Sequence, residues 1–253
     1  MLFLLRKIRR KLLSKKNKVT SYLLYAIGEI FLVVIGILIA VSINNLNERI
    51  KGRELELKYL KNIKLDLEKD IKLLRSVVDF RKEKLKACEV ILQQMRKEKE
   101  ADLSDLSKSV RVMIFEWQFV PVNTTFMELS SSGNLNIISN DSTKVLLLEL
   151  QNLYNENDGS VAHETFDYRE YISKPMLQEV NLDLLRPIYD GDMTVEEAGL
   201  TTDDFHNLMQ STAYRNGVGI IKAMSMKFIE RYQEIQLKSE EVISLINREI
   251  EIR

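Results

Sequence analysis

The chain of 253 residues holds one cysteine, two histidines and three prolines. A single cysteine excludes an internal disulfide framework. With only two histidines, a zinc centre at CxxC or HxxxH spacing is excluded as well. His163 and Glu164 have no second histidine on the following turn, so the zincin arrangement is absent. Asp158-Gly159 and Asp190-Gly191-Asp192 do not put ligands at the positions a calcium loop requires. No P-loop, GxGxxG or GxSxG occurs. The run Ser130-Ser131-Ser132-Gly133 reads as the end of a helix rather than a nucleophile. No catalytic residue, metal or cofactor is therefore expected, and the chain is not expected to be an enzyme.

Helix breakers are scarce as well. No proline precedes Pro121, and Gly52 is the only glycine between Ile37 and Ser132. Inside that breaker-poor half lies an apolar run at residues 22–43, YLLYAIGEIFLVVIGILIAVSI, with Glu29 as its one charge. Eight basic residues and no acidic one precede it. At about 1.5 Å per residue, 22 residues make a helix of roughly 33 Å, against a hydrocarbon core of about 30 Å. Starting after Glu29 leaves about 21 Å, too short to span. Glu29 is thus expected inside the span.

The basic flank predicts a cytoplasmic N-terminus and a periplasmic bulk at a bacterial inner membrane. Beyond Ile43 the chain carries 29 basic and 36 acidic residues, so net neutrality hides a basic tail and an acidic body. An acidic body outside the cytoplasm argues against nucleic acid as a partner. The first thirteen residues, with Leu5, Ile8 and Leu12 among cations, read as an orientation signal or as a basic helix on the anionic leaflet. The alternative to an anchor is a signal peptide cut near Ala40-Val41-Ser42, leaving a soluble exported protein. The run is longer than a signal core and contains a carboxylate, which favours the anchor.

By helical arithmetic Tyr22, Glu29, Val33, Gly36, Ala40 and Asn47 fall on one face within about 40°. Gly36 and Ala40 form a small-xxx-small pair beside the carboxyl. Small residues let helices approach closely in lipid, and polar side chains bond across such contacts. Glu29, Gly36 and Ala40 are therefore the expected intramembrane contact; the alternative is a Glu29 that tilts toward the cytoplasmic interface and makes none. The partner is a second copy or another membrane protein, met by a protonated Glu29 or by a cation on the partner. With no second intramembrane ionisable group, a proton relay is not expected.

The body is predicted to be all-α. Leu67, Ile71, Leu74, Val78, Arg81, Leu85, Cys88, Leu92 and Met95 form a heptad seam, apolar but for Arg81. Ile63, Val77 and Ile91 widen it, which suits an intramolecular bundle better than a bare coiled coil. Cys88 reads as a buried small hydrophobe. A parallel homodimer would instead pair two copies of it. Ile221, Phe228, Ile235 and Val242 repeat every seven residues near the C-terminus, and two long helices at opposite ends of the body are expected to pack antiparallel. The expected division is a basic segment at 1–18, a transmembrane helix at 19–43, a stalk helix at 44–100, a helical head at 101–216 and a C-terminal stalk helix at 217–253.

Within the head, residues 110–119 are expected to be helical up to Pro121. Thr125 and Glu128 fit a capping box with Gly133 at the helix end. Asn140 or Asp141 would cap a helix at 142–155, and a separate helix is expected at 158–174. Residues 184–192 read as a loop, Thr194 and Glu197 as a second box, and 202–214 as a further helix. Residues 134–138 and 188–193 are the only ambiguous strand candidates. Phe115, Trp117, Phe119, Phe126, Phe166, Tyr168 and Tyr171 are expected in the core of the head, with a ligand pocket among them as the alternative.

The segments RKIRRKLL, YLLYAIGEIFLVVIGILIAVSINN with LNE following, KYLKNIKLDLEKD and FVPVNTTFMELSSSGNLNIISN together resemble a family of single-pass membrane proteins. That family is classed as a domain of unknown function and is common in Bacteroidota. The resemblance covers nearly the whole chain. It departs at Leu46, where members often have Trp. It implies an inner-membrane anchor and a helical periplasmic body, and it supplies no activity. Two roles remain in view: an interaction or scaffold component, and a sensor whose head binds a ligand. About eighteen cytoplasmic residues would hold no output domain, so a sensor needs a membrane partner to carry its signal.

Overall fold

The computed structural model describes residues 18–99 and 101–251. The basic segment before Lys18, with its expected orientation signal, lies outside the described residues. All regular structure among the described residues is helical. The chain divides into two compact units, Met1–Glu56 and Leu57–Arg253. Helix α1, Lys18–Met95, contributes to both.

In the first unit, α1 carries a stretch long and apolar enough to cross a membrane, with a window of mean hydropathy 2.7 and none of it buried. The absence of proline leaves its backbone ladder unbroken.

The second unit is built on three long helices: α1 from residue 57 on, α4 (Asp141–Tyr168) and α8 (Thr212–Glu251). Polar pairs set their register. Asp70 meets Tyr154 and Arg81 meets Glu164, so α1 and α4 run parallel. Lys64 meets Asn247, Arg75 meets Glu240 and Glu89 meets Lys222, so α8 returns antiparallel to α1. Glu149 with Lys238 and Glu156 with Arg231 make α8 antiparallel to α4 as well. The heptad seam faces inward: Leu67, Leu74, Val78, Cys88 and Leu92 are buried in the chain's own core. Ile63, Val77 and Ile91 are buried with them, as an amphipathic stripe wider than two positions per heptad requires.

Shorter elements close the bundle: α2 (Leu103–Ile114), α3 (Thr124–Ser131), a 3-10 turn (Asn134–Ile137), α5 (Lys174–Glu179), α6 (Leu182–Asp190), a second 3-10 turn (Thr202–Phe205) and α7 (His206–Gln210). Two apolar clusters result. One gathers Leu60, Leu74, Phe126, Leu150, Tyr232 and Ile246; the other gathers Cys88, Ile91, Met113, Ile172, Phe205 and Tyr214.

Several expected boundaries are corrected. The first helix stops at Met95, and Lys97 takes φ 58° in a left-handed C-cap. Glu98 N–H donates to Gln93 O at 3.0 Å and Lys97 N–H to Gln94 O at 3.1 Å, the paired bonds of a Schellman end. Residues 110–119 are not one helix, because α2 ends at Ile114 and residues 115–123 have no regular secondary structure. Val120 precedes a proline, which disfavours the helical region.

The two helices expected at 142–155 and 158–174 are one α4, running through Gly159, followed by a π segment at Arg169–Ser173. Pro175 has no N–H for the carbonyl of Tyr171, one cause of the irregular turn. That carbonyl presses on Gly217 of α8: a Cβ at Gly217 would sit 2.7 Å from Tyr171 O and 2.6 Å from Tyr171 Cβ. Residues 184–192 are largely helical rather than a loop. Asn181 caps α6 by accepting from Asp183 N–H, and Pro187 lies within it. The strand candidates are a 3-10 turn and a helix end. The helix expected at 202–214 is broken at Ser211.

Candidate functional site

Glu29, Gly36 and Ala40 lie in the exposed apolar stretch of α1. Neither Gly28 nor Gly36 has anything within 4 Å of where a Cβ would stand. Around them Ile30, Phe31, Val33 and Leu38 each expose more than half of their surface. A stretch with this much apolar surface facing outward is not the core of its own unit, and it is long and apolar enough to cross a membrane.

The capping residues are placed differently from expectation. Asn123 is the N-cap of α3 and makes no side-chain cap bond. Thr125 sits inside the helix, its hydroxyl donating to Asp66 Oδ2 at 2.6 Å. Glu128 accepts from the Tyr59 hydroxyl at 3.1 Å. Both side chains that would close a box are thus committed to α1, and they fasten α3 onto it. Gly133 takes φ 71° after α3, where a Cβ would be strained. Thr194 and Glu197 do exchange reciprocal bonds, with Thr194 N–H donating to Glu197 Oε2 at 2.8 Å and Glu197 N–H to Thr194 Oγ1 at 3.2 Å, but in a turn rather than at a helix start. A further box, between Thr201 and Asp204, opens the second 3-10 turn.

Sequence reasoning missed a polar layer inside the body. Arg81 and Glu164 form a two-bond fork, with Nη2 donating to Oε2 at 2.6 Å and Nη1 to Oε1. Their side chains are 1 % and 3 % exposed. The guanidinium also lies 4.5 Å from the centre of the Phe228 ring. Burial pulls the Arg81 pKa down, but the hydrogen bonds and charge of Glu164 outweigh it and hold the group above its ordinary value.

One turn on, Lys84 is 2 % exposed and donates to Phe115 O at 2.9 Å. Its ammonium sits 5.4 Å from the rings of both Phe80 and Tyr168. Burial, then the neighbouring Arg81 charge, lower its pKa to about 8. Asp70 is buried too, accepting from Val122 N–H at 2.7 Å and from the Tyr154 hydroxyl at 2.9 Å. Burial raises its pKa, against the opposing effect of those bonds.

These groups hold the irregular segment 115–123 across the bundle. Such a segment cannot pair its own backbone, so buried side chains do so. Tyr168 donates to Ile114 O at the segment's edge, Lys84 to Phe115 O, Asn157 to Phe119 O at 3.4 Å, and Asp70 accepts from Val122 N–H. Phe119 plugs into the core at 1 % exposure, with ring centres of Tyr154 and Tyr232 each 5.9 Å away. Phe115, Trp117 and Phe166, expected in the core, are about half exposed instead.

The signal for this layer was present. Ile63, Asp70, Val77, Lys84 and Ile91 recur every seven residues, so the column that widens the seam alternates apolar with charged. Cys88 lies on the neighbouring column, fully buried against Met113 Sδ at 3.7 Å. Its thiol pKa is pushed up to about 12, chiefly by burial.

A protein family described as of unknown function (DUF6090) matches residues 29–167. The match opens at Glu29 and ends just past Glu164, so it takes in Gly36, Ala40, the polar layer and the segment that layer holds. Comparison with curated proteins and with solved structures gives no match.

Proposed function

We propose, for a chain that belongs to the DUF6090 family of unknown function, the role of a non-catalytic interaction or scaffold protein anchored in the bacterial inner membrane. Its N-terminus lies in the cytoplasm and its helical body in the periplasm. The observation that carries this reading is the wholly unburied apolar stretch of α1, with mean hydropathy 2.7 and Glu29 inside it. The basic residues ahead of it support the orientation.

A carboxylate facing lipid costs a few kcal/mol. A helix that keeps one beside Gly36 and Ala40 gains by turning that face to a second helix, from another copy or another membrane protein. The helical body then presents a surface for partners on the far side of the membrane. Its internal charges serve the architecture of the bundle, not chemistry.

The test is Glu29→Leu with crosslinking in native membranes. Weakened oligomers or lost partner adducts support the reading, and unchanged adducts overturn it. Alkaline phosphatase fused after Arg253 reads the orientation separately, and an inactive fusion in intact cells overturns the periplasmic placement.

A further inference from the structure

Between α4 and α8 runs a cleft of about 700 Å³, within the range of small-ligand sites. It lies wholly inside the second unit, so it does not depend on the membrane reading. Met224, Phe228, Ala223 and Ile220 line it with apolar surface. One acid, Asp167, lies toward one end of it, and two cations with one acid, Glu156, lie toward the other.

At one end is Asp167. It is 8 % exposed, yet its recorded partner among the described residues is His163 at 3.5 Å, an imidazole 71 % exposed. At the other end are two cations of α8. Arg231 is pinned, with Nη1 donating to Glu156 O and to Ser160 Oγ, both at 2.7 Å. Its Nη2 stands 3.9 Å from the Glu156 carboxylate. Lys227 is exposed on the cleft and has no recorded ion-pair partner among the described residues.

The helix register gives the spacing. Glu156 is level with Arg231, and counting eleven residues along each antiparallel helix brings Asp167 level with Ile220. Lys227 is seven residues further along α8, about 10 Å away. An extended peptide advances about 3.3 Å per residue, so three residues cover about 10 Å.

We propose that this cleft binds a short zwitterionic peptide of about three residues. Its amino group pairs with Asp167, its carboxylate with Lys227 and Arg231, and an apolar side chain lies over Phe228 and Met224. A free amino acid is too short to reach both ends, and a longer chain leaves one end unpaired. The floor of the cleft touches the polar layer, since Phe228 lies beneath the site and against Arg81.

Titration calorimetry of the full chain in lipid nanodiscs tests this with Ala-Leu-Ala, its N-acetyl form and its C-terminal amide. The free peptide is expected to bind saturably. Asp167→Asn is expected to weaken it about tenfold, the acetylated peptide being equally weak on both proteins. Lys227→Ala is expected to act the same way toward the amide. Ala223→Trp, on an exposed position of the floor, is expected to abolish binding while the melting temperature holds. Absence of saturable binding to the wild type overturns the proposal. So does equal binding of the blocked and free peptides, or undiminished binding to Ala223→Trp.

Discussion

Arg81 of α1 and Glu164 of α4 meet fork to fork in the interior, with Nη2 2.6 Å from Oε2 and both side chains almost wholly buried. The pair sits on a seam whose other positions are apolar, and it fixes which level of α4 faces which level of α1. Taking two charges out of water costs several kcal/mol each, so the pair is a device of register more than of stability. Arg81→Met is expected to destabilise the protein by about 3–5 kcal/mol, because Glu164 is left buried and alone. The double variant Arg81→Met, Glu164→Leu is expected to recover most of that loss. Denaturant titration followed by circular dichroism measures both, and a double variant as unstable as the single one contradicts the account.

The lowered pKa of Lys84 makes a prediction with a definite sign. The folded value is about 8, below the ordinary lysine value of 10.5. Burial therefore penalises the charged form, and the penalty is fully present below about pH 8. It is relieved as pH rises from there toward the unfolded value. Up to about 3 kcal/mol of stability is regained across the whole interval. Cys88 and Tyr168, both pushed up to about 12 mainly by burial, act in the opposite sense once the unfolded thiol ionises near pH 9 and unfolded tyrosine near pH 10, and the Lys84→Met protein shares both. The useful window is thus about pH 8 to 9.5. There the stability of the wild type is expected to rise relative to Lys84→Met, and parallel curves for the two proteins exclude the assignment.

The fold class, the long first helix and the antiparallel return of the last one were legible in the sequence because each rests on periodicity. Leu67, Leu74 and Val78 on one helix and Phe228, Ile235 and Val242 on the other repeat often enough to outweigh any single residue. Local chemistry was less legible. Thr125 and Glu128 have the spacing of a capping box, but Asp66 and Tyr59, distant in sequence, compete for the same groups and win. Residues 184–192 read as a loop, yet α6 covers most of them, with Asn181 as cap and Pro187 inside it. The charged layer was hidden for a different reason. Asp70 and Lys84 look like solvated residues on a charged helix until segment 115–123 supplies backbone groups for them. Those partners come from folding, not from neighbours in the chain.

Cys88 is packed against Met113 with no exposed surface. Burial raises its thiol pKa to about 12, which suppresses the reactive thiolate. Iodoacetamide is expected to modify it only in denaturant, and oxidised membranes are expected to yield no Cys88-linked dimer on a non-reducing gel. Rapid labelling of the native protein would mean that the bundle opens around α1.

Gly217 packs its missing side chain against the backbone of the π segment. A methyl group there would approach Tyr171 O to 2.7 Å, inside any normal contact. The helix propensity of alanine favours Gly217→Ala by about 1 kcal/mol, but overpacking costs about 1–3 kcal/mol and the blocking atoms include backbone. The substitution is expected to destabilise. Gly219, two residues on, has nothing within 4 Å of its Cβ position, so Gly219→Ala is expected to stabilise by up to about 1 kcal/mol. Opposite signs at two glycines of one helix, read as melting temperatures, separate the contact from the propensity.

Lys97 holds φ 58° at the end of α1, a conformation that costs a residue with a Cβ roughly 1 kcal/mol and costs glycine little. Its N–H and that of Glu98 close the Schellman bonds onto Gln94 and Gln93. These are backbone interactions, which glycine keeps. Lys97→Gly is therefore expected to stabilise the protein by about 0.5–1 kcal/mol, although glycine elsewhere in a helix destabilises it. Lys97→Ala retains the Cβ and is expected to gain nothing. If denaturant midpoints rank alanine with glycine, the lysine side chain rather than the backbone angle is what matters at this turn.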